Sequence, residues 1–217
     1  GKTGINLESG KNLVGSFWAP RLVVIDPATL ETLPARELRA GMAEVVKAAW
    51  IGDRGLLELL PPAPVDFSSL ELAAWEKLIE RSLRVKAAVV EADEREAGTR
   101  KKLNLGHTLG HALEAATGYE RFLHGEAVMW GLRAACRLSR LRGLLGDEDC
   151  RRLEAAVDRL GTPPAIDDLS LSNVLDHLAR DKKRDDLGIG WVLPTNDGVL
   201  LDQRVSADEI ADVFAEL

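Results

Sequence analysis

The sequence has few cysteines and no long apolar run. Cys136 and Cys150 are the only cysteines among 217 residues, too few for a disulfide scaffold or a zinc knuckle, so we expect two reduced thiols. No segment reaches the roughly 18 consecutive apolar residues that a membrane span requires. These absences argue against a disulfide-rich secreted domain and against a transmembrane protein.

Basic residues are also outnumbered: 28 lysines and arginines stand against 35 acidic residues, which gives a formal net charge of −7 and a pI near 5.2. Because polyanion binding requires a basic surface or stripe, this balance argues against a protein that binds nucleic acids or acidic membranes. Apolar residues make up 46% of the chain, enough for a substantial core. We expect a folded, cytoplasmic protein, and because the sequence begins with Gly1, we expect it to be part of a longer chain.

Hydrophobic periodicity predicts a mainly helical bundle with a few short β-strands. Helices are predicted where apolar residues recur every three or four positions, over 36–50, 70–91, 104–117, 124–142, 148–160, 171–179 and after residue 206. Capping boxes at Ser68 with Glu71 and at Ser206 with Glu209 indicate the starts of two of them. Strands are predicted over 21–26, 189–193 and 199–202.

The predicted elements indicate one domain over residues 1–217. The proline stretch 61–64 is the longest linker, and no internal repeat is visible. The glycine-rich opening, residues 1–6, is interpreted as the tail of a turn.

Three of the four histidines lie close together in sequence. His107 and His111 are four residues apart and share one face of a predicted helix. His124 lies where the next helix should begin, so a short connection could return it beside the pair. Two histidines and one carboxylate would provide the three ligands of a catalytic zinc site. The alternative is that histidines at this spacing are a surface or packing feature.

Glycines cluster around these histidines, at Gly106, Gly110, Gly118 and Gly125. Glycine in a helix interior costs up to about 1 kcal/mol of helix stability, so the cluster indicates that something approaches the backbone closely. That approach could come from a ligand or from a tightly packed neighbouring helix.

A carboxylate and several cations could complete such a site. Glu44 and Lys47 lie three apart on one predicted helix face among apolar residues, and a buried charge requires a metal, a ligand or a partner charge. An ordinary intrahelical salt bridge is the alternative. Arg100 and Asn104, just ahead of the His107 helix, would suit an anionic substrate. The alternative is that this mixed-charge run is a solvated face.

Six sequence motifs occur along the chain. They are GKTGIN with GKNLVG, then TLPARE, GMAEVVK, NLGHTLGH, HGEA and DKK. Their order is that found in the 3-dehydroquinate synthase family. The chain resembles this family over nearly its whole length. The resemblance implies the mostly helical, metal-bearing C-terminal domain of a two-domain fold, without the N-terminal nucleotide-binding domain.

The resemblance also implies a set of site residues. A zinc or cobalt ion would be bound by Glu44, His107 and His124, with His111 on the substrate side. The implied substrate-contacting residues are Asn12, Lys47, Lys86, Arg100, Asn104, His111 and one of Lys182 and Lys183, of which Lys182 is our choice. The implied NAD-contacting residues are Lys2, Lys11, Thr29, Leu30, Glu31 and Thr32.

The implied reaction converts 3-deoxy-D-arabino-heptulosonate 7-phosphate to 3-dehydroquinate and phosphate, a carbon–oxygen lyase step of the shikimate pathway of aromatic amino acid biosynthesis. NAD would be reduced and regenerated within each cycle. The resemblance further implies a homodimer, and a chain that is inactive without its nucleotide-binding domain.

Other functions stay open. They are a sugar-phosphate cyclase of the 2-deoxy-scyllo-inosose or valiolone type, a metal-dependent polyol dehydrogenase, or a non-catalytic helical domain that packs against a partner. The histidine motif with Arg100 and Asn104 favours dehydroquinate synthesis, because a substrate with both a carboxylate and a phosphate requires a cationic surround.

Overall fold

A computed structural model of the chain describes residues 2–7, 10–62, 66, 67, 70–181 and 188–217. The α-helices in these ranges are α1 (Ala35–Gly52), α2 (Leu72–Ala92), α3 (His107–Ala116), α4 (His124–Leu141), α5 (Asp147–Asp158), α6 (Leu171–Asp181) and α7 (Ala207–Glu216). Two separate antiparallel hairpins pair β1 (Lys2–Leu7) with β2 (Gly10–Phe17) and β3 (Ile189–Thr195) with β4 (Gly198–Val205). This confirms the mainly helical fold class. Within the described ranges, no helix has the length and apolar character to cross a membrane.

The predicted helices all form, and their ends differ from the predicted ones by at most a few residues. The capping box before α7 is confirmed: the Ser206 hydroxyl accepts the Glu209 backbone N–H at 3.2 Å, and the Glu209 carboxylate accepts the Ser206 backbone N–H at 2.9 Å. The other predicted box is wrong: α2 begins at Leu72, and Glu71 is its N-cap in an extended conformation, so Glu71 is not the third helical residue that a box with Ser68 requires.

The amino-terminal segment differs from the prediction. Residues 21–26 form no strand; they are irregular and largely exposed, so that prediction is wrong. Residues 2–6 of the glycine-rich opening are part of a β-hairpin instead of a turn, with Thr3 paired to Ser16 and their hydroxyl oxygens 3.1 Å apart. The physical reason is that a strand forms where a neighbouring strand completes its backbone hydrogen bonds. The strands β1 and β2 form such bonds with each other, whereas residues 21–26 have no paired strand in the described chain.

The helix α4 lies at the centre of the bundle, in contact with α1, α3 and α5 and with most of its residues buried. A Cβ atom at Gly125 would lie 1.8 Å from the backbone oxygen of Ala40, and one at Gly131 would lie 1.7 Å from that of Gly106. The helix therefore touches α1 and the turn before α3 through backbone atoms, which explains the glycine at 125 by close packing.

The helices α4 and α5 are also joined covalently. Cys136 and Cys150 form a disulfide across their interface, with Cα atoms 5.7 Å apart. The expectation of two reduced thiols is therefore wrong, because the packing of α5 on α4 brings together two side chains that are 14 residues apart in sequence.

Candidate metal and substrate site

The structure brings three histidine rings together at the starts of α3 and α4. The ring centroid of His107 lies 5.3 Å from that of His111 and 5.0 Å from that of His124, and the last two are 5.8 Å apart. One nitrogen from each ring lies within 4.8 Å of the other two. The short connection after α3 thus returns His124 beside the pair, as the spacing predicts.

The His107 ring has a defined orientation and tautomer. Its Nδ1 lies 3.1 Å from the Leu105 backbone oxygen, and because a carbonyl can only accept, Nδ1 carries the proton. This leaves the Nε2 lone pair directed at the Glu44 carboxylate, with Oε1 3.7 Å away. Burial and the nearby Lys47 ammonium lower the pKa of His107 to about 3, so the ring is neutral near pH 7 and able to bind a metal.

The Glu44 carboxylate on α1 faces the His107 ring. One oxygen forms an ion pair with Lys47, whereas Oε1 is buried and has no hydrogen-bond donor among the described residues. Burial alone would raise the pKa of Glu44, but the Lys47 charge holds it below its usual range, so the group is ionised. A buried carboxylate oxygen opposite an imidazole lone pair is unfavourable unless a cation lies between them. The donor set therefore fits a divalent metal such as zinc or cobalt.

A cavity of about 490 Å³ opens beside Glu44 and His107. The cations that line it are Lys47, Lys86 and Arg100. Lys47 is buried, which lowers its pKa despite the ion pair with Glu44. Arg100 is 5% exposed and donates to the backbone oxygen of Glu94. Such a cavity is suited to a small molecule that carries more than one negative charge.

Some predicted residues lie elsewhere. Thr29, Leu30, Glu31 and Thr32 belong to the 3₁₀ helix Pro27–Thr32, where Leu30 and Glu31 line a groove that shares no lining residue with the cavity. The Thr29 hydroxyl donates to the Asp26 backbone oxygen at 2.7 Å. The remaining predicted side chains lie outside the described residues; they are those of Lys2, Lys11, Asn12, Lys182 and Lys183.

Two site residues were not predicted from the sequence. Glu96 lines the cavity in a left-handed backbone conformation, φ 61°, and accepts a hydrogen bond from Asn104 Nδ2 at 3.3 Å. Glu114 is buried on α3 and lies 3.1 Å from Nδ1 of His124. The spacing of Glu114 three residues after His111 was the available signal, whereas Glu96 was hidden in a run of mixed charges.

An ion pair ties the start of α4 to α1. Nε and Nη2 of Arg36 each lie 2.7 Å from an oxygen of the Glu126 carboxylate, which also accepts the backbone N–H of Leu123 at 2.9 Å. Because α1 carries Glu44 and α4 begins at His124, this pair helps to hold the carboxylate and the histidine in one arrangement.

Two family models match the sequence. Residues 41–184 match the model described as 3-dehydroquinate synthase C-terminal, and residues 1–40 match 3-dehydroquinate synthase N-terminal. The chain is 46% identical over 220 residues to the 3-dehydroquinate synthase of Prochlorococcus marinus strain MIT 9303, covering 100% of this chain and 59% of that protein. It is 44% identical to that of Picosynechococcus sp. strain PCC 7002, covering 99% and 60%. The chain thus spans about three fifths of these relatives.

Solved structures of related cyclases share the fold. The 2-epi-5-epi-valiolone synthase of Streptomyces hygroscopicus subsp. jinggangensis 5008, with NAD⁺ and Zn²⁺ bound, matches 99% of this chain and 60% of its own with a TM-score of 0.85 and 27% identity. A 2-deoxy-scyllo-inosose synthase with carbaglucose-6-phosphate, NAD⁺ and Co²⁺ matches 99% and 62% with a TM-score of 0.79 and 26% identity. Motifs, fold and sequence identity agree, and the chain belongs to the 3-dehydroquinate synthase family.

Proposed function

We propose that the protein carrying this chain converts 3-deoxy-D-arabino-heptulosonate 7-phosphate to 3-dehydroquinate and phosphate in the shikimate pathway. The observation that carries the proposal is the convergence of Glu44, His107 and His124 beside a cavity lined with cations. The curated relatives at 41–46% identity support this lyase reaction over its alternatives.

The chain's own residues would hold the metal. Glu44 Oε1, Nε2 of His107 and a nitrogen of His124 are the proposed ligands of zinc or cobalt, the ions named in the two cyclase structures. A bound divalent ion lowers the pKa of a substrate hydroxyl and stabilises negative charge on its oxygen. His111, on the same face of α3, is proposed to contact the substrate instead of the metal.

The cavity residues would orient a doubly anionic substrate. Lys47, Lys86 and Arg100 would bind its carboxylate and phosphate, and Asn104 would hydrogen-bond a hydroxyl. Several cations around one flexible polyanion keep the reacting carbons in place through successive steps, which lowers the entropic part of each barrier. Asn12 and Lys182 stay predictions as further substrate contacts.

NAD would accept a hydride and return it within one cycle. Its proposed contacts in this chain are Lys2, Lys11, Thr29, Leu30, Glu31 and Thr32. We further propose that residues 1–217 alone are inactive, since the active relatives are longer. The single-domain count, the homodimer and the cytoplasmic location stay predictions.

The second candidate is a cyclase that forms a valiolone or an inosose. The specific observation in its favour is the TM-score of 0.85 to 2-epi-5-epi-valiolone synthase. Such an enzyme would share the metal and NAD but would release a different carbocycle, so the product distinguishes the two.

The test measures phosphate release and 3-dehydroquinate formation by the whole natural protein with the heptulosonate phosphate and NAD. We expect NAD-dependent turnover that a chelator abolishes and added Zn²⁺ restores, and no turnover by residues 1–217 alone. Bound zinc without dehydroquinate would favour the second candidate. A protein that binds no metal would contradict the proposed role of Glu44, His107 and His124.

A further inference from the structure

We propose that Glu114 is a positioning residue that fixes the ring of His124 for metal binding. The inference rests on the proposed metal site and extends it to a residue that the family motifs did not assign. Glu114 is on α3, seven residues after His107 and three after His111, so all three side chains share one face of the helix.

Glu114 is 3% exposed, and His124 is one polar partner of its buried carboxylate. Its Oε2 lies 3.1 Å from Nδ1 of His124. We take the imidazole Nδ1–H as the donor and the carboxylate oxygen as the acceptor, the usual arrangement for a metal-binding histidine. With Nδ1 as the donor, Nε2 is the ring nitrogen left to bind a metal.

The same arrangement occurs at His107, where Nδ1 donates to the Leu105 backbone oxygen and Nε2 faces Glu44. Two rings 5.0 Å apart, on different helices, are thus each held through Nδ1. A hydrogen bond of this kind fixes a ligand's tautomer and orientation and increases its basicity. Glu114 thus holds His124 in place for the ligand role proposed above.

The hydrogen bond between Glu114 and His124 also has a structural role. Because the two residues lie on different helices, it fixes the start of α4 against α3.

The matched control is Glu209, a partly buried carboxylate that pairs with Arg142 and caps α7. Removing its charge should affect folding without affecting the histidines.

The test measures zinc affinity of the whole natural protein by competition with a chelator, for Glu114→Gln, Glu114→Met and Glu209→Gln. We expect Glu114→Met to weaken zinc binding by about 10- to 100-fold, because an outer hydrogen-bond partner of a ligand has an effect of this size. Glu114→Gln keeps an acceptor oxygen and should lose less. Glu209→Gln should bind zinc as the natural protein does. If Glu114→Met does not fold, the test of the inference is the zinc affinity of Glu114→Gln together with the visible spectrum of its Co²⁺ form.

A double-variant cycle separates positioning from folding. In a His124→Ala background, Glu114→Gln should cause no further loss of zinc affinity, because the ring it orients is gone. The inference would be overturned if Glu114→Gln lowered zinc affinity equally with and without His124. It would also be overturned if both Glu114 variants kept the natural zinc affinity and Co²⁺ spectrum. Either result would leave the proposed function intact. A natural protein that binds no zinc would overturn both.

Discussion

The exposure of apolar side chains differs between residues 35–217, the helical bundle, and the amino-terminal segment before them. In the helical bundle Trp50 is 1% exposed and Leu113 is fully buried, whereas Trp18 is 76% and Val24 81% exposed in the amino-terminal segment. A helix satisfies its own backbone hydrogen bonds and needs a neighbour only for its apolar face. A strand-like segment needs a neighbour for its backbone hydrogen bonds as well as for its apolar side chains.

The family models divide the chain close to the same place, since residues 1–40 match the N-terminal model and residues 41–184 the C-terminal one. We therefore expect the amino-terminal segment to pack against N-terminal sequence of the natural protein, and the bundle to fold without it. Substitutions in the two regions should differ accordingly.

The largest expected difference is in activity. Replacing His107 by alanine in the bundle removes a proposed metal ligand and should lower the rate of phosphate release on the order of 10³-fold. The matched control is His177→Ala on α6, the one histidine outside the cluster, which should retain nearly full activity. Steady-state assays with a zinc determination on each protein check this. Equal losses in both variants would contradict the site.

The next largest effect is on stability. A methyl group at Gly125 would overlap the Ala40 backbone oxygen, so Gly125→Ala should lower the free energy of unfolding by about 3 kcal/mol. Gly41→Ala is the control: apart from its chain neighbours and its own helix backbone, no described atom lies within 4 Å of its added Cβ, and alanine in a helix should raise stability by about 0.5–1 kcal/mol. Urea unfolding followed by circular dichroism measures both, and a stable Gly125→Ala protein would mean that α4 can move away from α1.

The ion pair between α1 and α4 should have a moderate effect. Arg36→Met leaves the poorly exposed Glu126 carboxylate without its guanidinium partner and should cost about 1–3 kcal/mol. Arg84→Met breaks an exposed pair with Glu80 within α2 and should cost at most about 0.5 kcal/mol. The same urea measurements apply, and indistinguishable losses would show that the α1–α4 pair contributes no more than a surface pair.

A smaller effect depends on pH. The Arg142 hydrogen bonds lower the pKa of Glu209 from 4.5 to about 2. A carboxyl group whose pKa is lower in the folded than in the unfolded state stabilises the fold at pH values above the unfolded-state pKa. This stabilisation is lost as the pH falls through the folded-state pKa. The stability difference between the natural chain and Glu209→Gln should therefore shrink as the pH decreases from 4.5 towards 2. Parallel stability curves over this range would contradict the pairing.

The smallest effect is expected in the amino-terminal segment. Trp18→Ser in residues 1–217 should change the free energy of unfolding by no more than about 0.5 kcal/mol, because the ring is already exposed. In the whole natural protein the same change should cost more if the segment packs there. Thermal unfolding of both proteins checks this, and a large loss in residues 1–217 alone would show that the segment contributes to the bundle.

Much of the fold could be predicted because helices depend on local sequence. Apolar spacing located α1 to α7, and the Ser206 box located the start of the last one. The errors concern partners distant in sequence. Residues 21–26 have strand-like composition without a paired strand, and the cysteine pair depends on how α5 packs on α4.

In the candidate site, too, the features set by local spacing were predicted and those set by contacts between helices were not. Spacing on one helix predicted that His107 and His111 lie together, and a short connection predicted the return of His124. Spacing places Glu114 on the same face of α3 as the histidines, but its proposed role depends on a contact with a second helix, which spacing on one helix does not show. The ligand set itself stays a prediction.

The direct backbone contacts of α4 have a consequence for how the site tolerates change. Where two helices meet through side chains, their separation drifts as those side chains are exchanged for larger or smaller ones. At Gly125 and Gly131 there is no side chain to exchange, so the separation is set by backbone atoms alone. Because Gly125 follows His124 and packs on the backbone of α1, the distance between Glu44 and His124 should change little when other core side chains are replaced by larger or smaller ones.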